Sequence, residues 1–185
     1  MFVWWVDFWS ERWKDEGMKV ILYMAITANG IIAKADDDTS WISKEEWDSY
    51  SAAVQKAGCL IMGHRTYDIL TKQTEFAELK KVKLVAVSGG DFKTIADNHV
   101  IAYSPKEALS MLKDFDEVIV AGGGHLNSAF LKEKLIDEIY LDIEPKIIGD
   151  GIKVFEGLDF ECDLELLEQK MITSNEIQLR YKVKK

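Results

Sequence analysis

The sequence predicts an α/β domain in three layers: a mixed, mostly parallel sheet flanked by helices and closed at one edge by a C-terminal antiparallel hairpin. Three observations carry this. From Met18 to about Lys134, short apolar runs alternate with helical patterns, the rhythm of parallel strands joined by crossover helices. Two of the runs, Cys59-Leu60-Ile61-Met62 and Val118-Ile119-Val120-Ala121, empty into glycine at a helix start. The final stretch alternates instead: Ile177, Leu179, Tyr181 and Val183 are separated by polar residues, as in a half-buried antiparallel strand.

A chain of 185 residues is long enough for one well-packed domain and short for two. Its net charge of -9 argues against nucleic acid or an anionic membrane as the main partner, because either needs a basic face to displace counterions. A small-molecule substrate is compatible with it. Cys59 and Cys162 provide neither a disulfide framework nor metal-ligand spacing, which fits reduced thiols in the cytoplasm. The three histidines are scattered, so no metal site is expected. Residues 1–17 look like an N-terminal extension outside the fold, with four of the six tryptophans at Trp4, Trp5, Trp9 and Trp13. Asp7 interrupts any signal-peptide core, and the segment is too short and too charged to span a bilayer.

The domain is therefore read over residues 18–185. Val20–Ile26 is a strand covered on both faces, Thr27-Ala28-Asn29-Gly30 is a turn, and Ile31–Asp38 is a loop ending in three acids. Ser43-Lys44-Glu45-Glu46 forms a capping box that opens a helix facing inward through Trp47, Tyr50, Val54 and Ala57 and stopped by Gly58. The 59–62 strand leads to a short helix at Gly63, a polar loop near 72–81, and a strand over Val82–Val87 ending at Ser88-Gly89-Gly90. His99–Tyr103 is a further strand, and Ser104-Pro105-Lys106-Glu107 starts a helix with Pro at its first position. After Gly122-Gly123-Gly124, a helix buries Leu126, Ala129 and Phe130. Ile139, Leu141 and Ile143 alternate with Tyr140, Asp142 and Glu144; Pro145 and Gly149-Asp150-Gly151 then interrupt. Strands over 163–171 and 176–183 follow, joined by Thr173-Ser174-Asn175.

The two glycine junctions suggest an anion site. A helix N-terminus presents unpaired N–H groups and a partial positive charge, and glycine lets a ligand approach the backbone. Gly63-His64-Arg65-Thr66 adds a cation and a hydroxyl. The dinucleotide fingerprint is absent, since His125-Leu126-Asn127 follows Gly124 with no later glycine at the required offset.

Thr27-Ala28-Asn29-Gly30-Ile31-Ile32-Ala33, Trp41-Ile42-Ser43, Gly63-His64-Arg65-Thr66, Gly122-Gly123-Gly124 and the stretch from Leu135 through Pro145-Lys146-Ile147-Ile148-Gly149-Asp150-Gly151 occur in a characteristic order. Through them the chain resembles the dihydrofolate reductase-like superfamily. It is most similar to the C-terminal reductase domain of bifunctional riboflavin-biosynthesis deaminase/reductases. The resemblance implies a dihydrofolate reductase-like fold and an NADPH-dependent oxidoreductase with 5-amino-6-(5-phosphoribosylamino)uracil reductase activity. Reduction of dihydrofolate or another pterin is the alternative, and a non-catalytic nucleotide-binding module a further one. It implies cofactor contacts at Ile32, Ala33, Gly63, His64, Arg65, Thr66, Ser88, Gly122, Gly123, Gly124, His125 and Leu126, with Arg65 on the 2′-phosphate. Asn29 and Trp41 fall on the substrate side, and a homodimer through the C-terminal strands is implied. Three features depart from the riboflavin pattern: Asn29-Gly30-Ile31 stands where Asp-Gly and a basic residue are usual, Lys44-Glu45-Glu46 replaces an arginine-bearing helix start, and Leu70-Thr71-Lys72-Gln73-Thr74 replaces an acidic Asp-Asp-Pro loop, leaving Lys34 and Lys72 to reach the pocket. Glu46, five residues after Trp41, lies close to where folate reductases carry the acid that holds the pterin, yet it also completes the capping box. Both roles stay open at this level.

Overall fold

The computed structural model describes residues 17–185; the expected N-terminal extension, apart from Gly17, lies outside them. The first strand, β1 (Lys19–Thr27), is buried along nearly its whole length. Its alternate residues enter two separate cores: Val20 and Leu22 in one, Ile21 and Tyr23 in the other. This is why the run is continuously apolar, since a strand covered on both faces has no solvent side to make polar.

The chain then makes β2 (Ile31–Lys34), α1 (Lys44–Ala57), β3 (Cys59–Gly63), α2 (His64–Leu70), a 3₁₀ turn (Thr74–Leu79), β4 (Lys83–Val87), β5 (His99–Ala102), α3 (Pro105–Ser110), β6 (Glu117–Val120) and α4 (Gly124–Lys132). It closes with β7 (Glu138–Glu144), β8 (Gly151–Lys153), β9 (Leu164–Met171) and β10 (Ile177–Val183). The main sheet has the order β5-β4-β3-β6-β1-β7-β10-β9. Every pairing from β5 to β7 is parallel, and β10 and β9 add the antiparallel edge. Helices α3 and α4 cover one face through Ala108, Leu109, Leu126 and Phe130. Tyr50 and Val54 of α1, Tyr67 of α2, and Phe76 and Leu79 cover the other, giving the three expected layers.

Two segments differ from the sequence reading. Ile31–Lys34, expected as loop, pairs antiparallel with Gly151–Lys153 in a small second sheet; the partner is too distant in sequence for any local pattern to reveal it. The polar loop near 72–81 contains the 3₁₀ turn, which buries Phe76 and Leu79 under α1. Phe76 and Leu79, three residues apart, fall on one face of that turn. Among the described residues, no helix is long and apolar enough to cross a membrane.

Candidate active site

Because β3 and β6 are neighbours, the two glycine junctions lie side by side. Gly63 N donates to Gly122 O at 2.7 Å, and Ala121 N donates to Ile61 O at 2.9 Å. Both open into a cleft of about 1170 Å³ at the C-terminal ends of the parallel strands, where open α/β sheets bind ligands. The three glycines of the second junction have separate causes. Gly122 has φ +79, a left-handed conformation that favours glycine, and the peptide to Gly123 is cis. Gly123 has an ordinary extended backbone, φ -70, and an added Cβ would meet only Thr66 Oγ1, at 3.4 Å. At Gly124 the same atom would overlap the Lys153 carbonyl oxygen and sit 3.0 Å from Glu156 Cγ. So Gly122 serves conformation, Gly124 serves packing against β8, and Gly123 leaves open space bounded by backbone amides at the start of α4.

Polar side chains ring this space. Arg65 binds Asp37 at two points, Nε to Oδ2 at 3.1 Å and Nη2 to Oδ1 at 2.7 Å. The His64 ring stacks on Phe92 with 3.7 Å between centroids, and its Nδ1 lies 3.4 Å from Ser88 Oγ. His125 Nδ1 lies 3.5 Å from Glu156 Oε2.

The other end of the cleft is acidic. Ser43 caps α1 as expected, its Oγ accepting from Glu46 N at 2.9 Å. A complete capping box would return the Glu46 carboxylate to Ser43 N–H. Instead Glu144, from β7, accepts that N–H at 2.6 Å, and Ser43 Oγ donates to Glu176 Oε2 at 3.0 Å. The Glu46 side chain is thereby released from capping and lines the cleft while 97 % of its surface is buried, its exposure being 3%. Beneath it Asp142, fully buried, accepts from Tyr23 Oη and Gln178 Nε2, each at 2.7 Å. Among the described residues no lysine or arginine forms an ion pair with Glu46, Asp142, Glu144 or Glu176. Burial, and then the neighbouring Asp142, Glu176 and Glu144, hold Glu46 well above the usual carboxylate range. Burial likewise pushes Asp142 up to about 6, and raises Glu176.

The RibD C-terminal domain family model matches residues 66–178. The chain belongs to the RibD C-terminal domain family. It is 30% identical over 173 residues to the uncharacterised protein YwjB of Bacillus subtilis, covering 88% of this chain and 97% of that one. It is also 30% identical over 133 residues to dihydrofolate reductase type 1 of Escherichia coli, covering 70% and 78%. Among solved structures, it is similar to the Thermotoga maritima diaminohydroxyphosphoribosylaminopyrimidine deaminase/5-amino-6-(5-phosphoribosylamino)uracil reductase, with a TM-score of 0.68 and 16% identity. That likeness covers 92% of this chain and 58% of the other, and it is one of fold.

In this RibD-family cleft the structure brings together Ile32, Ala33, Gly63, His64, Arg65, Thr66, Ser88, Gly123, Gly124, His125, Leu126 and Glu46. Gly122 supports them from below through its bond to Gly63. Asn29 and Trp41 are not among the lining residues. Asn29 is occupied in pinning the first turn: its Oδ1 accepts from Thr27 Oγ1 at 2.7 Å and its Nδ2 donates to Ile148 O at 2.7 Å. Trp41 is buried with its indole Nε1 unpartnered. The sequence reading missed Asp142, Glu144 and Glu176. Asp142 and Glu144 sit at the polar positions of the β7 alternation, which reads as a solvent face until α1 is seen to cover it.

The acid floor sets an unusual pH dependence. Asp142 is protonated more readily folded than unfolded, so its contribution to stability is fully present below pH 3.8 and is lost as pH rises through about 6. Melting temperature is therefore expected to fall between about pH 3.8 and about pH 6, with Asp142 contributing about 3 kcal/mol over that interval. Thermal melts across that range check this, and Asp142→Asn should flatten the profile; an unchanged slope in the variant would exclude Asp142 as its source.

Proposed function

We propose that the protein is an NADPH-dependent reductase of a flat, hydrogen-bond-donating heterocycle. The observation that carries this reading is a buried carboxylate, Glu46, in the same cleft as an open glycine cradle. NADPH, when bound, supplies the hydride; the protein supplies placement and electrostatics. The amides around Gly123 fit a diphosphate, and Arg65 offers a planar fork for the 2′-phosphate. Ile32 and Ala33 form an apolar wall suited to the nicotinamide, and help to exclude water from the reacting carbon. Glu46 is suited to accept hydrogen bonds from the heterocycle and to hold a proton near the nitrogen that gains one during reduction.

Two substrates answer this description. Family membership and the activity named for the Thermotoga protein support 5-amino-6-(5-phosphoribosylamino)uracil. A specific observation favours dihydrofolate or another pterin. The lysine and arginine side chains that line the cleft are already paired, Lys44 with Asp48 at 2.7 Å and Arg65 with Asp37. Lys34 is paired with Asp38 at 2.5 Å, and neither Lys34 nor Lys72 lines the cleft. Among the described residues, a phosphoribosyl group would thus meet an acid floor with no unpaired lysine or arginine lining the cleft, which is costly. The pterin reading is the one the geometry supports best.

Cofactor choice tests the proposal. Arg65→Ala should weaken NADPH by about 1.5–3 kcal/mol, the range for a hydrogen bond to a charged group, and leave NADH unchanged. Equal losses for both cofactors would remove Arg65 from the 2′-phosphate. Absence of any NADPH consumption with either substrate would favour the non-catalytic nucleotide-binding module. Cys59 and Cys162 are both free thiols, which supports a cytoplasmic setting. The outer strand β9 exposes all its residues, Leu166 and Met171 among them, which supports a homodimer through this edge; sedimentation as a 21.1 kDa monomer would sink that idea.

A further inference from the structure

We infer that Asp37 sets the cofactor preference of this site by competing with the 2′-phosphate for Arg65. The inference rests on the NADPH reading above. Arg65 is the second residue of α2, on the β3 side of the cleft, whereas Asp37 lies between β2 and α1 on the opposite side; both line the opening. One contact is a hydrogen bond, Nε to Oδ2 at 3.1 Å, and the other an ion-pair approach of Nη2 to Oδ1 at 2.7 Å. A phosphate needs the same edge of the guanidinium.

The acid is held ready for this role. Lys34 and Asp38 close a turn around Asp37: Lys34 N donates to Asp38 O and Asp37 N donates to Lys34 O, both at 3.0 Å. The Lys34 ammonium pairs with Asp38 at 2.5 Å, and Asp38 Oδ1 also accepts from Ser40 N at 2.8 Å. Lys34 is thus committed to Asp38, and Asp37 pairs with Arg65. At φ +69 the Asp37 backbone adopts the left-handed conformation, which Asp tolerates better than most side chains. The turn therefore aims this one carboxylate across the cleft.

The consequence follows from charge. A 2′-phosphate arriving at Arg65 must displace Asp37 and still lie near its negative charge, whereas NADH carries no phosphate there and meets no such competition. Asp37 thus lowers the preference for NADPH over NADH. It also couples cofactor entry to the 35–40 segment, because Asp38, Thr39 and Ser40 line the same cleft.

The experiment measures Kd for NADPH, NADH and adenosine 2′,5′-bisphosphate with the full chain, by fluorescence and in the absence of substrate. Asp37→Asn should tighten NADPH and the bisphosphate about fivefold, the scale of an exposed ion pair, and leave NADH within about twofold. Asp36→Asn removes the same charge next door and should change none of them beyond about twofold. Unchanged or weaker NADPH binding in Asp37→Asn, or an equal gain in Asp36→Asn, overturns the inference while the NADPH reading stands. Wild-type protein that binds neither NADPH nor the bisphosphate overturns both.

Discussion

Glu46→Gln is expected to give a protein that is more stable than the wild type and nearly inactive. The carboxylate is buried against Asp142, Glu144 and Glu176, so its ionised form is disfavoured in the folded state. A folded-state pKa raised above the unfolded one means that stability is present at low pH and lost as pH rises through the folded value. The neutral amide removes that loss, and a gain of about 1–2 kcal/mol is expected near neutral pH, where most stabilising changes of this kind fall. Near pH 4.5, the ordinary value of a glutamate, the gain should vanish. Turnover should fall by about 10²–10⁴, the usual contribution of a positioned acid or base. Because Glu144 rather than Glu46 holds the Ser43 N–H, the substitution leaves the cap of α1 intact. Paired melts and rate measurements check both halves. A less stable variant with unchanged turnover would return Glu46 to a structural role.

The second large effect separates two adjacent glycines. Gly123→Val should fold and bind no NADPH, since its φ of -70 and ψ of -172 lie in the extended region and its side chain would enter the open space facing Thr66. Gly124→Ala should instead destabilise the protein by about 1–3 kcal/mol, as overpacking does, because the added atom would meet the Lys153 carbonyl and Glu156. Circular dichroism melts and NADPH titration of the two variants distinguish these outcomes. Wild-type affinity in Gly123→Val would mean that the diphosphate lies elsewhere.

The features legible in the sequence are those that local patterns encode. The continuous apolar runs of β1, β3 and β6, the alternation in β10 and the glycines at both junctions carry their own signals. What was not legible depends on partners far along the chain. Ser43-Lys44-Glu45-Glu46 is a capping box by pattern, and only the arrival of Glu144 from β7 releases Glu46 to the cleft. Asp142 and Glu144 look like solvent-facing positions because alternation reveals two faces without saying what covers each. Arg65 stands out from its junction, but its partner Asp37 comes from another segment. Asn29 and Trp41 carry motif positions, yet one pins a turn and the other packs inside.

The most direct measurement is steady-state oxidation of NADPH by the wild type, offered 7,8-dihydrofolate and 5-amino-6-(5-phosphoribosylamino)uracil in separate assays, with Glu46→Gln and Gly123→Val alongside. The predicted result is turnover of dihydrofolate by the wild type that both substitutions abolish, Glu46→Gln while NADPH still binds and Gly123→Val because it no longer does. Bound NADPH with no oxidation on either substrate, or turnover that survives in Glu46→Gln, would contradict the assignment of this cleft as a reductase site built around Glu46.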